Sequence, residues 1–333
     1  MPSHSPLVFD TVSTRRLHAV LAACMAPLFF VAFLRWGWNP LLLLVGASAS
    51  AVFLEFAWAR GKAPWDSELA VWGALFVLAL PPLAPWPLAV LGGLLLVVLK
   101  RLFGGTTGLW INPALAVWAF CRLSWPQFFA RNGANLSPLE IFHKALTSGS
   151  LDGANPMASL APSALDQTWT SSLNNHVFAW LNVNLPPGYV DLAAGNLSLS
   201  MIAGSGILLL GVSVWLLVAR VIPWEIPAAA ALGLGIPTWI FGGLWFHKGW
   251  FTGDVLLQIF GGSFLAGIFF WATLTASRPF CRKTWFVWGA LVGLALFALR
   301  FSGLQSDGTP QVILAMGLLV PWIDHFFRPR RLS

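Results

Sequence analysis

Lys100-Arg-Leu-Phe-Gly-Gly-Thr-Thr-Gly-Leu-Trp-Ile-Asn-Pro-Ala114 is the stretch on which the reading of this chain turns. Two cations close an apolar run, three glycines follow, and Asn112-Pro113 opens a second apolar segment. Glycine and proline in such a place predict a broken or half-length helix. Lipid tolerates the freed backbone groups only where protein or a water-filled cavity shelters them. Gly104, Gly105, Asn112 and Pro113 are therefore candidate site residues.

Working outward, 57% of residues are hydrophobic and only 9% are charged, with a mean hydropathy of +0.75. A soluble chain carries about 25% Asp, Glu, Lys and Arg, so this composition is that of an integral membrane protein. The net charge of +7 reads as topology and contact with anionic membrane lipid, not as nucleic-acid binding.

Apolar runs near the ~20 residues that a spanning helix needs fall at about 17–36, 38–58, 68–84, 86–104, 109–125, 198–219, 225–245, 252–277, 284–301 and 310–327. The third and fifth are short. A polar tail precedes the first run, and no small-residue cleavage site follows it, so no cleavable signal peptide is expected. With both termini in the cytoplasm, thirteen of the nineteen basic residues fall on one side, among them Arg60, Lys100, Arg101, Arg220, Arg278 and Arg282. The other side receives six: Arg35, Arg122, Arg131, Lys144, Lys248 and Arg300. This alternation obeys the enrichment of cytoplasmic loops in Lys and Arg.

Residues 126–197 hold most of the Asn and Ser and the only tyrosine, Tyr189. They read as an external, periplasmic loop between a first five-helix repeat at 1–125 and a second at 198–333. The expected fold is thus all-α and polytopic, with about ten helices in a five-plus-five pseudo-symmetric arrangement. Leu102-Phe-Gly-Gly105 recurs as Ile259-Phe-Gly-Gly262, which adds Gly261 and Gly262 to the candidates and predicts that the two elements meet near the midplane.

Among ionisable groups, Glu55 lies inside the second apolar run about one turn before Arg60. It reads as an ion-path candidate or as a carboxylate paired near the interface. Asp254 opens the eighth run, where a carboxylate suits the positive end of a helix. Cys24, Cys121 and Cys281 sit far apart and the six histidines show no ligand spacing, so no metal site is expected. Tryptophans at the ends of apolar runs read as interface anchors.

Several motifs share one resemblance: Pro81-Pro-Leu-Ala-Pro-Trp86, Phe103-Gly-Gly with Asn112-Pro-Ala114, Trp224-Glu-Ile-Pro227, Phe260-Gly-Gly-Ser-Phe-Leu-Ala-Gly-Ile-Phe-Phe270, and Asp307-Gly308 with Val320-Pro-Trp-Ile-Asp324. In order and spacing the chain resembles the RnfD/NqrB family over nearly its whole length. The resemblance implies a urea-transporter-like fold in a bacterial inner membrane. It also implies work among the other membrane subunits of an Rnf- or Nqr-like complex that passes electrons while moving Na⁺ or H⁺. It further implies FMN attached through a phosphoester to a threonine of the external loop. The matching segment here is Asp152-Gly-Ala-Asn-Pro-Met157, and Asn155 at the acceptor position has no hydroxyl. The Thr-Asp-Pro segment near the eighth helix is likewise altered, to Thr273-Leu-Thr275. The expectation is no covalent flavin, with FMN or riboflavin held non-covalently if at all. The alternatives are a flavin-free relative that scaffolds a different membrane complex, or a stand-alone channel or transporter for a small solute.

Overall fold

The computed structural model describes residues 14–59, 67–103, 111–130, 163–176, 178–181, 185–194, 201, 206–244, 249–274, 277–302 and 307–327. Among these residues the chain is helical, with no strand. The first set comprises α1 (Thr14–Trp36), α2 (Asn39–Trp58), α3 (Ser67–Ala79), α4 (Trp86–Leu102) and α5 (Pro113–Ser124), followed by the single turn α6 (Pro126–Ala130). The region between the sets holds α7 (Ala164–His176) and α8 (Tyr189–Ala194). The second set is α9 (Gly206–Val218), α10 (Glu225–Phe241), α11 (Val255–Phe260), α12 (Phe264–Ala266) continuing as a π-helical turn over Gly267–Trp271, α13 (Arg282–Phe301) and α14 (Thr309–Phe327).

Each of the ten apolar runs contains helix. Four described helices are long and apolar enough to cross a membrane: His18–Trp36, Asn39–Trp58, Arg282–Phe301 and Thr309–Phe327. Glu68–Ala79, Pro113–Ser124, Gly206–Val218 and Glu225–Phe241 are apolar but shorter. The chain is an all-α membrane protein.

Local sequence explains the boundaries. Pro40, Pro87 and Pro113 sit in the first turn of α2, α4 and α5, where their missing N–H costs nothing. Pro81 and Pro82 follow the end of α3, leaving its last carbonyls without helical partners. The Trp118 indole of α5 donates to Ala79 O at 2.9 Å, and Asn39 Nδ2 donates to Pro82 O at 2.7 Å.

The most extensive helix contacts join α2 to α4 and α10 to α13. Both pairs approach backbone to backbone at glycine. A Cβ on Gly93 would collide with Ala47 O, and one on Gly293 would collide with Ala230 O. Small residues at such crossings let dispersion and close packing hold helices together where lipid offers little hydrophobic drive. At the centre lie α3, buried throughout Val71–Leu80, and the segment Ser263–Thr273, also buried throughout. A helix apolar on every side belongs in an interior.

Candidate functional site

The eighth run is interrupted. Asp254 caps α11, its carboxylate accepting from Leu257 N at 2.9 Å, as its position at a helix start predicts. The helix ends after Phe260. Gly262 then takes φ +71°, a conformation that only glycine adopts without penalty, and α12 begins.

The polar groups released by this interruption are held by one ion pair. Arg300, 1% exposed, donates through Nη1 to Gln258 O at 2.6 Å and to Gln258 Oε1 at 3.0 Å. Its Nη2 donates to Gly261 O at 3.1 Å and meets Asp307 Oδ1 at 3.2 Å, while Nε donates to Asp307 O at 3.0 Å. Asp307 serves the other side of the gap, accepting from Ser263 N at 3.0 Å and from the Ser263 hydroxyl. The cation therefore faces the carbonyl end of α11 and the carboxylate faces the amide end of the next piece, as the helix dipoles require. Thr309 Oγ1 donates to Asp307 Oδ1 at 2.9 Å and completes the cluster.

The second break reaches the same interior segment from the opposite end. Asn112, 1% exposed, caps α5 by accepting from Ala114 N at 3.1 Å and Leu115 N at 3.3 Å. Its Nδ2 donates to Trp271 O at 3.3 Å, the last residue of the π turn. π turns recur at functional sites. The buried indole N–H groups of Trp271 and Trp288 have no hydrogen-bond partner among the described residues. Such orphaned donors are rare in a settled core, and they mark the region as adapted to something beyond packing.

Of the sequence candidates, Asn112 and Pro113 lie against Trp271, whereas Gly261 and Gly262 lie against Arg300 and Asp307. The two breaks thus grip opposite ends of one segment. Gly104, Gly105 and Asn155 fall outside the described residues. Glu55, 7% exposed, pairs with Arg101 at 2.5 Å and with Lys100 at 3.4 Å. Its second oxygen, Oε2, is buried without a partner among the described residues. Arg60, the partner suggested by proximity in sequence, lies outside them.

Sequence reasoning missed Arg300, which it counted among loop charges. The usable signal was Asp307-Gly308-Thr309 after the helix that carries Arg300, opposite a Gly-Gly interruption. Among the described residues no group of three or more His, Cys, Asp or Glu is placed to hold a metal.

Between the two sets, α7 and α8 cap each other. Asp166 accepts from Gly188 N at 2.6 Å and Asp191 N at 3.0 Å, and Asp191 accepts from Ser163 N and Oγ, both at 2.8 Å. The lobe docks through the Tyr189 hydroxyl, which donates to the Asp254 carboxylate, and through Arg35 Nη2, which donates to Ala194 O at 2.6 Å. Burial, reinforced by the Asp254 charge and hydrogen bond, pushes the Tyr189 phenol well above its ordinary range.

A covalently attached FMN needs a free hydroxyl in this region. The described hydroxyls near the expected position are committed: Ser163 Oγ bonds Asp191 and Asp166 N, and Thr168 Oγ1 donates to Ala164 O at 2.8 Å. Neither fits the part of a phosphoester acceptor.

A family model described as NQR2, RnfD, RnfE matches the chain over residues 1–333. The chain belongs to this family. Among its relatives, a protein of Halorhodospira halophila is 30% identical over 344 residues, covering 98% of this chain and 92% of the relative. One of Alcanivorax borkumensis is 28% identical over 324 residues, covering 90% and 87%. One of Shewanella sediminis is 27% identical over 360 residues, covering 98% and 96%. All three are named as the RnfD-type component of an ion-translocating oxidoreductase complex.

Proposed function

We propose that this family member is the RnfD-type membrane subunit of a redox-driven complex that translocates Na⁺ or H⁺, and that it works without covalent flavin. The observation that carries the assignment is the match along the whole chain, residues 1–333, to a family whose relatives are named as subunits of ion-translocating oxidoreductases. Its partners are then the sibling membrane subunits of that complex, in a bacterial inner membrane.

The geometry supports an ion path at the centre of a five-plus-five repeat. The two tightest helix pairs, α2 with α4 and α10 with α13, are the second and fourth members of their sets. The two fully buried elements, α3 and Ser263–Thr273, stand third in each. Broken helices at corresponding or facing positions commonly build the transport site, and here Asn112 from one set meets Trp271 from the other. The charge distribution supports cytoplasmic termini.

Asn155, together with the committed hydroxyls of Ser163 and Thr168, supports the absence of a phosphoester. A flavin held non-covalently, FMN or riboflavin, is the form compatible with these residues. The same observations favour a second reading, in which the chain scaffolds a related complex without carrying electrons.

Affinity purification of the tagged chain in mild detergent, with mass spectrometry and a visible absorbance spectrum, tests these statements. The expected result is co-purification of sibling subunits and an intact mass equal to the polypeptide. An FMN-sized addition mapped to residues 147–172 would refute the flavin statement. Siblings without any flavin absorbance would select the scaffold reading, and isolation of the chain alone would remove the subunit assignment.

A further inference from the structure

The end of α9 is built around an arginine where glycine is the usual residue. Val221 N donates to Leu216 O at 3.1 Å and Arg220 N donates to Leu217 O at 3.0 Å. These are the two bonds of a Schellman motif, and they place Arg220 at its left-handed position, with φ +54°. Glycine adopts that conformation freely, whereas arginine strains it. Strained backbone of this kind persists where the side chain is used. The Arg220 side chain forms no hydrogen bond or ion pair with a described residue, and it lines a cavity of about 780 Å³ between the end of α9 and the starts of α10 and α13.

The same cavity is lined by Arg278, Arg282, Glu225, Trp224 and Trp285. Arg278 stands over the Trp285 ring at 4.8 Å, which fixes the guanidinium at the rim. Arg282 pairs with Glu225 at 2.8 Å. Three guanidiniums thus face one carboxylate, leaving an excess of positive charge. Both helix starts lack a side-chain cap, since Trp224 and Cys281 offer none. Their first amides therefore add to the attraction for an anion. Trp224 and Phe280, 58% and 94% exposed, put the cavity at the depth where aromatic side chains meet headgroups.

We propose that this cavity binds the phosphate of an anionic phospholipid headgroup, with Arg220 and Arg278 as its principal ligands. Basic pockets between helices at a membrane surface have this use. The inference needs only that the chain is embedded in a bilayer. It stands or falls separately from the electron-transfer assignment, because its test requires neither sibling subunits nor flavin.

The test uses the full-length protein in phosphatidylcholine nanodiscs with and without phosphatidylglycerol, and native mass spectrometry to count retained lipid. Wild type should retain phosphatidylglycerol in preference to phosphatidylcholine. Each arginine removed should weaken that preference about fivefold, the equivalent of about 1 kcal/mol per cation. Arg220→Gly is the informative variant: in pure phosphatidylcholine it should be at least as stable as wild type, because glycine relieves the left-handed strain, yet it should lose anionic lipid. Arg220→Lys should keep most of the preference. Wild-type retention in the Arg220→Gly/Arg278→Gln double variant would overturn the proposal. Displacement of the lipid by millimolar inorganic phosphate would also overturn it, pointing to a soluble phosphate ligand.

Discussion

Replacing Arg300 with methionine removes the cation that holds the interrupted helix while keeping most of its volume. The variant leaves the Asp307 carboxylate without its ion-pair partner and strips Gln258 O and Gly261 O of their donor. Breaking a buried pair from one side costs about 3–5 kcal/mol, and each orphaned carbonyl costs about 1–3 kcal/mol, overlapping with the first figure. A loss of about 4 kcal/mol, or about a thousandfold in the unfolding equilibrium, is expected. Arg300→Met/Asp307→Leu removes both charges and leaves the Ser263 amide as the main new orphan. It should therefore recover about 1–3 kcal/mol of the single-variant loss, a coupling typical of groups in direct contact. Titration from mild detergent into sodium dodecyl sulfate, followed by tryptophan fluorescence, measures all three proteins. A single variant within about 1 kcal/mol of wild type would refute the clamp. So would a double variant whose loss equals the sum of the two singles.

Gly262→Ala should destabilise by more than the usual ~1 kcal/mol of left-handed strain, since the added Cβ would lie 2.5 Å from Asp307 Oδ1. Gly211→Ala in α9, where nothing lies within 4 Å, should be neutral or stabilising by up to about 1 kcal/mol in the same titration. The raised Tyr189 phenol predicts an alkaline transition of the external lobe. Its stabilising effect is complete below the ordinary phenol value near 10 and is lost as pH rises from there toward the higher folded value. Subtilisin cleavage within residues 163–194 should therefore accelerate above about pH 10, and Tyr189→Phe should abolish that acceleration. A C-terminal alkaline phosphatase fusion should be inactive, as cytoplasmic termini require; an active fusion would reverse the orientation.

Much of the architecture was legible because lipid makes hydrophobicity and chain breaks unusually informative. The ten apolar runs all hold helix, Asn112-Pro113 opens α5, and Asp254 caps α11 because these signals are local. Long-range pairing was not legible. Arg300 was assigned to an external loop because a charge at the end of an apolar run looks like a topology marker. Only the fold shows that Gln258 and Gly261, about forty positions earlier, present carbonyls to it. Glu55 was expected beside Arg60 from proximity in sequence, while Lys100 and Arg101 reach it across the α2/α4 contact. The repeated Phe-Gly-Gly is also less symmetric than its spelling. Phe103 closes α4, whereas Phe260-Gly261-Gly262 lies inside the interruption between α11 and α12.

The placement of short elements inside and long ones outside constrains how the chain is made. At 1.5 Å per residue α3 extends about 20 Å and α5 about 18 Å, well short of the ~30 Å hydrocarbon layer. Neither is a competent insertion signal by itself. For α3 the order of synthesis helps, because α1 and α2 leave the ribosome first and offer a finished wall. The second set runs the other way: Gly261 and Gly262 emerge about forty residues before Arg300 and Asp307. At the 5–20 residues per second of translation, the open ends of that interruption wait for seconds beside the translocon. That wait makes the interval before α14 emerges the period when this protein is most exposed to quality-control proteolysis.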